Sequence, residues 1–149
     1  MFMKNGFTLI ELLIVAVLIS AVLSLAFIIN SNLFFNTALR DQTRSVESSL
    51  RKAQAVAITG RGDSNAGVKI TENDYTIFEG NSYEERKKPL DTIVSFSTSM
   101  IISGANEIIF EKSTGLPITQ EENLFIRLHY ANGYKTITIN SEGMIESDL

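Results

Sequence analysis

The sequence predicts an α+β fold, in which one long N-terminal helix packs on an antiparallel β-sheet formed by the rest of the chain. Residues 7–29 are apolar with few interruptions, and residues 36–59 repeat apolar side chains at steps of three and four. After Gly60 the pattern changes to period two and to short apolar runs, which is typical of strands. A helix followed by a series of strands indicates the α+β class.

The composition excludes several kinds of functional site. The chain has 149 residues and no cysteine, which excludes disulfides, thiolate metal sites and cysteine nucleophiles. Thirteen Lys and Arg residues against 17 Asp and Glu residues give a net charge of −4, so the chain as a whole does not attract nucleic acid.

The first element is the apolar run of residues 7–29, which is long enough to cross a bilayer as a helix. A membrane anchor is one interpretation. A cleavable secretory signal is another, because Ser24-Leu25-Ala26 places small residues where signal peptidase reads them. Against the signal, Glu11 interrupts the run and apolar residues continue to Phe35.

A basic residue and a glycine precede the run, in Lys4-Asn5-Gly6, and Phe7-Thr8-Leu9-Ile10-Glu11 opens it. This stretch resembles the processing and methylation motif of type IV prepilins and type II secretion pseudopilins. The resemblance implies cleavage after Gly6 by a prepilin peptidase/methylase and N-methylation of the new terminus, Phe7. It also implies a single-pass bacterial cytoplasmic (inner) membrane protein, whose head lies on the extracytoplasmic side before it enters a pilus or pseudopilus.

Glu11 is the unexpected acid in this run. A charge near the centre of a membrane helix costs about 3 kcal/mol on insertion scales, and less near an end. In the family the acid at this position is thought to pair with the terminal amine of a neighbouring subunit, which implies that Glu11 is an assembly residue. The implied partners are other pilin or pseudopilin subunits, the inner-membrane assembly platform and the lipid bilayer.

Four regions are predicted along the chain: a leader at 1–6, a transmembrane and assembly helix at 7–35, an amphipathic stalk helix at 36–59 and a β-rich head at 60–149. No proline occurs before Pro89, so the two helical regions should form one unkinked helix that ends at Gly60. Many major pilins of the family that this chain resembles carry a helix-breaking proline in this segment, so the resemblance, together with the absence of proline here, implies a pseudopilin or minor subunit.

The head should contain strands at residues 68–70, 75–78, 93–102, 107–110, 124–130, 134–139 and 144–145. Asn132-Gly133 predicts a tight hairpin with both residues at its centre, and residues 140–143 predict a second turn. "EIIFEKSTGLPI" and "KTITINSEGMIE" resemble segments of the H-type minor pseudopilins and their pilus relatives (GspH/FimT-like).

No catalytic, cofactor or metal site is predicted, and we expect the chain not to be an enzyme. His129 is the single histidine, and no triad or phosphate loop can be built around it. Asp63, Asn65 and Asp74 do not have the spacing of a calcium loop. The Arg-Gly-Asp tripeptide that ends at Asp63 is explained as a turn.

Some H-like minor pilins bind DNA through arginines near the chain end. Here that end carries Glu142, Glu146 and Asp148, which would repel phosphate. Residues 86–88 are basic but are flanked by Glu84, Glu85 and Asp91. We expect a structural minor subunit of a type IV pilus or type II secretion-like filament. A DNA-binding minor pilin and a soluble domain released after Ala26 are the alternatives.

Overall fold

A computed structural model describes residues 7–60, 63–97, 100–118, 123–130 and 133–148, without the side chains of residues 25–36 and 123. By its contacts the chain divides into two units, Met1–Phe35 and Asn36–Leu149. One helix, α1, covers Leu9–Thr59 and contributes to both units. Gly60 follows α1 with φ +59°, a left-handed conformation that glycine adopts without a Cβ penalty.

The second unit contains two sheets in the part of the chain that the structure describes. The strands are β1 (Ala66–Ile70), β2 (Asp74–Glu79), β3 (Thr92–Ser95), β4 (Ile101–Gly104), β5 (Glu107–Phe110), β6 (Asn123–Tyr130), β7 (Gly133–Asn140) and β8 (Ile145–Ser147). The first sheet has the order β3-β2-β1-β5 and the second the order β4-β6-β7-β8. Neighbouring strands are antiparallel, and a short 3₁₀ helix, Lys88–Leu90, precedes β3.

Among the described residues, one hydrophobic core joins the second half of α1 to both sheets. From α1 it takes Leu39, Val46, Leu50, Ala53 and Ala57, each at most 2% exposed. Their three- and four-residue spacing places them on one face of the helix. Both sheets supply the facing side chains, among them Val68, Ile77, Ile108, Ile126, Leu128 and Ile139. This arrangement confirms the predicted α+β class, with a helix packed on antiparallel β-structure.

Polar contacts fasten α1 to the last strand. The Ser147 hydroxyl donates to Glu47 Oε2 at 2.6 Å, and Arg51 donates from Nη2 to the Ile145 carbonyl at 2.8 Å. Arg51 also bonds Glu47 Oε1 at 2.7 Å. The Ser147 hydroxyl, followed by the Arg51 guanidinium, lowers the pKa of Glu47, although partial burial opposes them. One helical turn thus holds the carboxyl end of the chain.

The next turn of α1 holds two loops. Gln54 donates from Nε2 to the carbonyls of Gly115 and Gly143 at 3.0 and 2.8 Å. Both glycines have positive φ, +70° and +81°, and a Cβ would lie 2.5 Å from Ile58 Cγ1 at Gly115 and 2.8 Å from Gln54 Nε2 at Gly143. Glycine therefore lets both loops approach the helix closely.

The predicted strand at 93–102 is wrong as one element. The structure divides it into β3 and β4, which belong to different sheets. Between them Phe96 and Met100 are buried, and their N–H groups donate to the carbonyls of Asn73 and Glu72 at 2.8 and 3.1 Å. The chain passes from the first sheet to the second between β3 and β4. Apolar residues recur across this connection, so the sequence pattern gives no sign that one strand ends and another begins. This connection also explains why two sheets form instead of the single predicted sheet.

The pairing of β6 with β7 confirms the predicted hairpin. Gly133 already belongs to β7 and pairs with Tyr130, so the prediction that Gly133 lies at the centre of the turn is wrong. Asn132 lies outside the described residues. The second predicted turn is confirmed: Asn140 Oδ1 accepts hydrogen bonds from the N–H groups of Glu142 and Met144 at 3.1 and 2.8 Å.

The outer faces of the two sheets, opposite the core, differ. On the first sheet Phe78 is 1% exposed, and the Tyr83 ring packs edge-on against it at 5.7 Å. Arg86 stacks over Tyr83 at 3.7 Å and donates to Asp91 Oδ2 at 2.8 Å. On the second sheet the outward side chains Phe125 and Tyr134 are 43% and 56% exposed.

Candidate processing and assembly site

Phe7, Thr8 and Glu11 lie at the start of α1. Thr8 is the N-cap of the helix: its Oγ1 accepts the N–H of Glu11 at 3.3 Å, and its carbonyl accepts the N–H of Leu12 at 3.2 Å. Glu11 is therefore in the first turn, where the positive end of the helix dipole favours a carboxylate. Phe7 is 83% exposed.

The following turns are apolar around the whole helix. Leu12, Leu13, Ile14 and Val15 are consecutive, and their exposed fractions are 67%, 51%, 52% and 48%. Four consecutive residues of an α-helix point in four directions, so no polar face remains there. A helix that is apolar on all sides needs an apolar environment, whether lipid or other helices.

Two serines interrupt this apolar surface without leaving a free hydroxyl. Ser20 Oγ donates to the carbonyl of Ala16 and Ser24 Oγ to the carbonyl of Ser20, each at 2.8 Å. A hydroxyl bonded to the backbone four residues earlier costs less to remove from water than an unbonded one. Both serines are thus compatible with an apolar environment.

Within the helical residues whose side chains are described, no stretch is long and apolar enough to cross a membrane. The predicted span at 7–35 extends into residues 25–36, whose side chains are outside this description. Gly6, the predicted residue before the cleavage site, also lies outside the described residues. The roles assigned to Gly6, Phe7 and Glu11 stay predictions.

His129 lies on β6 and faces away from the core. Its Nε2 is 3.3 Å from Ser103 Oγ, and its ring centroid is 5.7 Å from that of Tyr134. The sequence contains no second histidine and no cysteine. The structure places the residue on the surface of the second sheet, among side chains that it stacks on or bonds.

The three residues considered for calcium have separate protein partners. Asp63 forms an ion pair with Lys112, which lowers the pKa of its carboxyl. Asn65 Oδ1 accepts the N–H of Lys112 at 2.8 Å, and Asp74 Oδ1 accepts the Thr71 hydroxyl at 3.0 Å. Among the described residues, no group of three or more acidic or histidine side chains is placed to hold a metal ion. Arg61, the first residue of the Arg-Gly-Asp tripeptide, lies outside them.

The basic residues at 86–88, considered as a nucleic-acid site, do not form one exposed cationic patch. Arg86 is committed to Asp91, with its side chain 15% exposed, whereas Lys88 is on the surface. At the chain end Glu142 and Glu146 are exposed, and Asp148 lies 3.9 Å from Lys135 Nζ. The acidic tail that disfavours phosphate is thus at the surface, as the sequence suggests.

Sequence reasoning missed two residues that position the site and the helix. Thr8-Leu9-Ile10-Glu11 has the spacing of a capping box, so the cap at Thr8 could have been found from that pattern. The role of Gln54 could not have been predicted, because a polar residue on an amphipathic helix does not reveal which loop carbonyls its side chain will bond.

Comparison with known proteins agrees with this geometry at the N-terminus. A family model described as the Prokaryotic N-terminal methylation motif matches residues 1–27. Neither the comparison with curated proteins nor that with solved structures gives a match. The motif implies processing by prepilin peptidase and anchoring in the inner membrane before assembly. It is typical of structural proteins without enzymatic activity, in agreement with the prediction that this chain is not an enzyme.

Proposed function

We propose that this chain is a minor pilin or pseudopilin, a structural subunit of a type IV pilus or type II secretion-like filament. It is inserted in the inner membrane with residues 1–6 in the cytoplasm, cut after Gly6 and methylated at Phe7. The apolar half of α1 then enters the filament core, and the two sheets face outward. Its chemistry is that of assembly, with no reaction of its own.

The observation that carries the proposal is an acid in the first turn of a helix whose next turn is apolar on all sides. Glu11 follows the cap, and exposed Leu, Ile and Val side chains follow Glu11. Such a helix is suited to a lipid bilayer and then to a bundle of similar helices. The methylation motif at residues 1–27 supports the same interpretation.

Cleavage after Gly6 would create a cationic amine on Phe7, two residues before α1 begins at Leu9. Inside an apolar bundle that charge is costly unless an opposite charge meets it. The amine is also at the positive end of its own helix dipole, which adds to the cost. We propose that the Glu11 carboxylate of one subunit forms an ion pair with the Phe7 amine of its neighbour. This pair would fix the axial register of two helices that otherwise present only apolar side chains to each other.

The first test is the intact mass and N-terminal sequence of the protein purified from its native membrane. A methylated Phe7 terminus is expected. A terminus at Phe27 would instead mean release by signal peptidase. The peptide bond after Ala26 lies inside α1, whereas proteolysis requires an extended backbone, so we do not favour that alternative. An intact Met1 would contradict the proposal.

The assembly role of Glu11 is tested by Glu11→Gln, which removes the charge and keeps the shape. We expect normal cleavage and at least a tenfold loss of incorporation into sheared filaments, as an unpaired buried charge costs about 3 kcal/mol or more. Asp41→Asn, which removes an exposed acid from the same helix, is the matched control and should assemble. Normal assembly of Glu11→Gln would contradict the pairing.

We further propose an H-type minor role, supported by the resemblance of residues 107–118 and 135–146 to that group and by the absence of proline before Pro89. This assignment is tested by copy number: quantitative mass spectrometry of purified filaments should find the chain at a few per cent or less of the main subunit. Equal abundance would contradict it.

A further inference from the structure

The outer face of the second sheet carries a strip of stacked planar side chains. Phe125, Arg127 and His129 alternate along β6 with the buried Leu124, Ile126 and Leu128, so all three point away from the core. Tyr134 lies opposite His129 in the strand register, on the same face. We call Phe125, Arg127, His129 and Tyr134 the planar strip.

Neighbouring groups hold each member of the strip in place. The Arg127 Cζ is 5.7 Å from the Phe125 ring centroid and 5.1 Å from that of Tyr134, and its Nε donates to Thr136 Oγ1 at 3.3 Å. The Phe125 ring covers Gly104, where a Cβ would be 2.8 Å from it. Rigid aromatic groups lose little conformational entropy when they bind a partner.

The guanidinium of Arg127 is not paired with any carboxylate that the structure describes. Among the residues that the structure describes, no carboxylate lies within ion-pair distance of Arg127, and its terminal nitrogens donate no hydrogen bond. On the first sheet an arginine, an aromatic ring and a carboxylate occur together, since Arg86 stacks on Tyr83 and also donates a hydrogen bond to Asp91. The second sheet has the aromatic and cationic groups, but none of its described carboxylates, Glu146 on β8 included, forms an ion pair with Arg127.

We propose that the planar strip is a docking surface for a partner protein segment that presents one Asp or Glu carboxylate beside an apolar or aromatic side chain. The carboxylate binds the two terminal nitrogens of Arg127, a geometry that guanidinium favours over ammonium. The apolar neighbour covers Phe125 or Tyr134, as Tyr83 covers Phe78 on the first sheet. This inference does not depend on processing at Gly6 or on the role of Glu11.

The charges on the outer face of the second sheet favour a partner with one carboxylate over a nucleic acid. A polyanion gains affinity from several Lys or Arg contacts. Here the cation in the strip is Arg127, and the exposed Glu146 lies on the neighbouring strand β8. A single carboxylate matches a single guanidinium, whereas a phosphate backbone would meet one attractive and at least one repulsive charge.

The test uses the full chain in detergent micelles and short random peptides displayed on phage. Selected peptides should contain Asp or Glu within two residues of an aromatic or aliphatic side chain. As free peptides they should bind the wild-type protein and lose about tenfold or more in affinity for Arg127→Gln, since a charge-assisted bidentate pair is lost. Exchanging the peptide acid for its amide should cause a similar loss.

Two further variants separate docking from folding. Arg127→Lys keeps the charge but not the planar fork, so it should weaken binding while the midpoint of thermal unfolding stays close to that of the wild type. Arg40→Gln removes an exposed arginine from α1 and should bind as the wild type does. Selected peptides without an acid, or equal binding by Arg127→Gln, would overturn the proposal.

Other occupants would be recognised in the same assay. Binding of a single-stranded thymidine oligonucleotide that is lost in Arg127→Gln would assign the face to nucleic acid. Self-association in sedimentation that is lost in the same variant would assign it to a second copy of this chain. Either result would overturn the proposed occupant.

Discussion

The two halves of α1 have the same secondary structure and opposite surfaces. Over residues 9–24 every described side chain is exposed, and most are apolar. Over residues 37–59 apolar residues such as Leu50 and Ala53 are fully buried, and charged residues occupy the other faces. The second half obtains its stability from the sheets of its own unit, and the first half has no such support in the chain as described.

This difference separates folding from assembly. Packing of an amphipathic face stabilises a helix in water, whereas a helix that is apolar all round is stabilised by lipid or by other helices. Substitutions in the second half should therefore change the free energy of unfolding of the Asn36–Leu149 unit. Substitutions in the first half should change association and leave that free energy nearly constant.

The largest expected contrast is between Leu50→Ala and Leu18→Ala. Leu50 is 0% exposed, so its truncation leaves a cavity and should cost roughly 2–5 kcal/mol of unfolding free energy. Leu18 is 61% exposed, and its truncation should cost within about 0.5 kcal/mol. Urea unfolding of both full-length variants in the same detergent, followed by tyrosine fluorescence, measures the two values. Equal losses would break the comparison.

Gln54→Ala sharpens the comparison within the second half. It removes the donor for the carbonyls of Gly115 and Gly143, and we expect a loss of roughly 1–2 kcal/mol in unfolding free energy. Lys52→Ala, at an exposed position of the same helix, is the control and should change little. A loss no larger than that of Lys52→Ala would mean that the two loops dock without this side chain.

Acid should weaken the contact between α1 and β8. Because the pKa of Glu47 is lower in the folded chain than in the unfolded one, its contribution is complete above the unfolded value, near 4.5. That contribution is lost as the pH falls through the lower, folded value, and its size is roughly 1 kcal/mol for a partly exposed pair. Unfolding free energies of wild type and Ser147→Ala from pH 7 to pH 3 should converge at low pH. A constant difference would contradict the assignment.

The smallest expected effect is that of Thr8→Ala in the first half. Loss of the cap should cost about 0.5–1 kcal/mol of local helix stability and nothing in the second unit. Hydrogen exchange at the amides of Glu11 and Leu12 should quicken severalfold in micelles, while that at Leu50 stays unchanged. Thr8→Ser, which keeps the hydroxyl, should restore slow exchange.

The fold was predictable wherever a pattern is local. Three- and four-residue spacing located the buried face of α1, and period two located β6 and β7. The division of residues 93–102 was not predictable, because β3 and β4 are distinguished only by partners distant in sequence. At the N-terminus the motif predicts roles for Phe7 and Glu11, and these stay predictions. The planar strip was not predicted, since Arg127 and Tyr134 meet only through the register of two strands.

The contact between Ser147 and Glu47 also bears on the order in which the chain folds. These residues are 100 positions apart, and the Arg51–Ile145 contact spans 94. Closing such long loops is slow, because contacts between residues distant in sequence form late in folding. The amphipathic half of α1 gains these two partners only after β8 has been synthesised. A chain that stops before β8 leaves Glu47 and Arg51 without them, so its helix should pack less stably on the sheets and should be recognised as unfinished by any assembly that selects folded subunits.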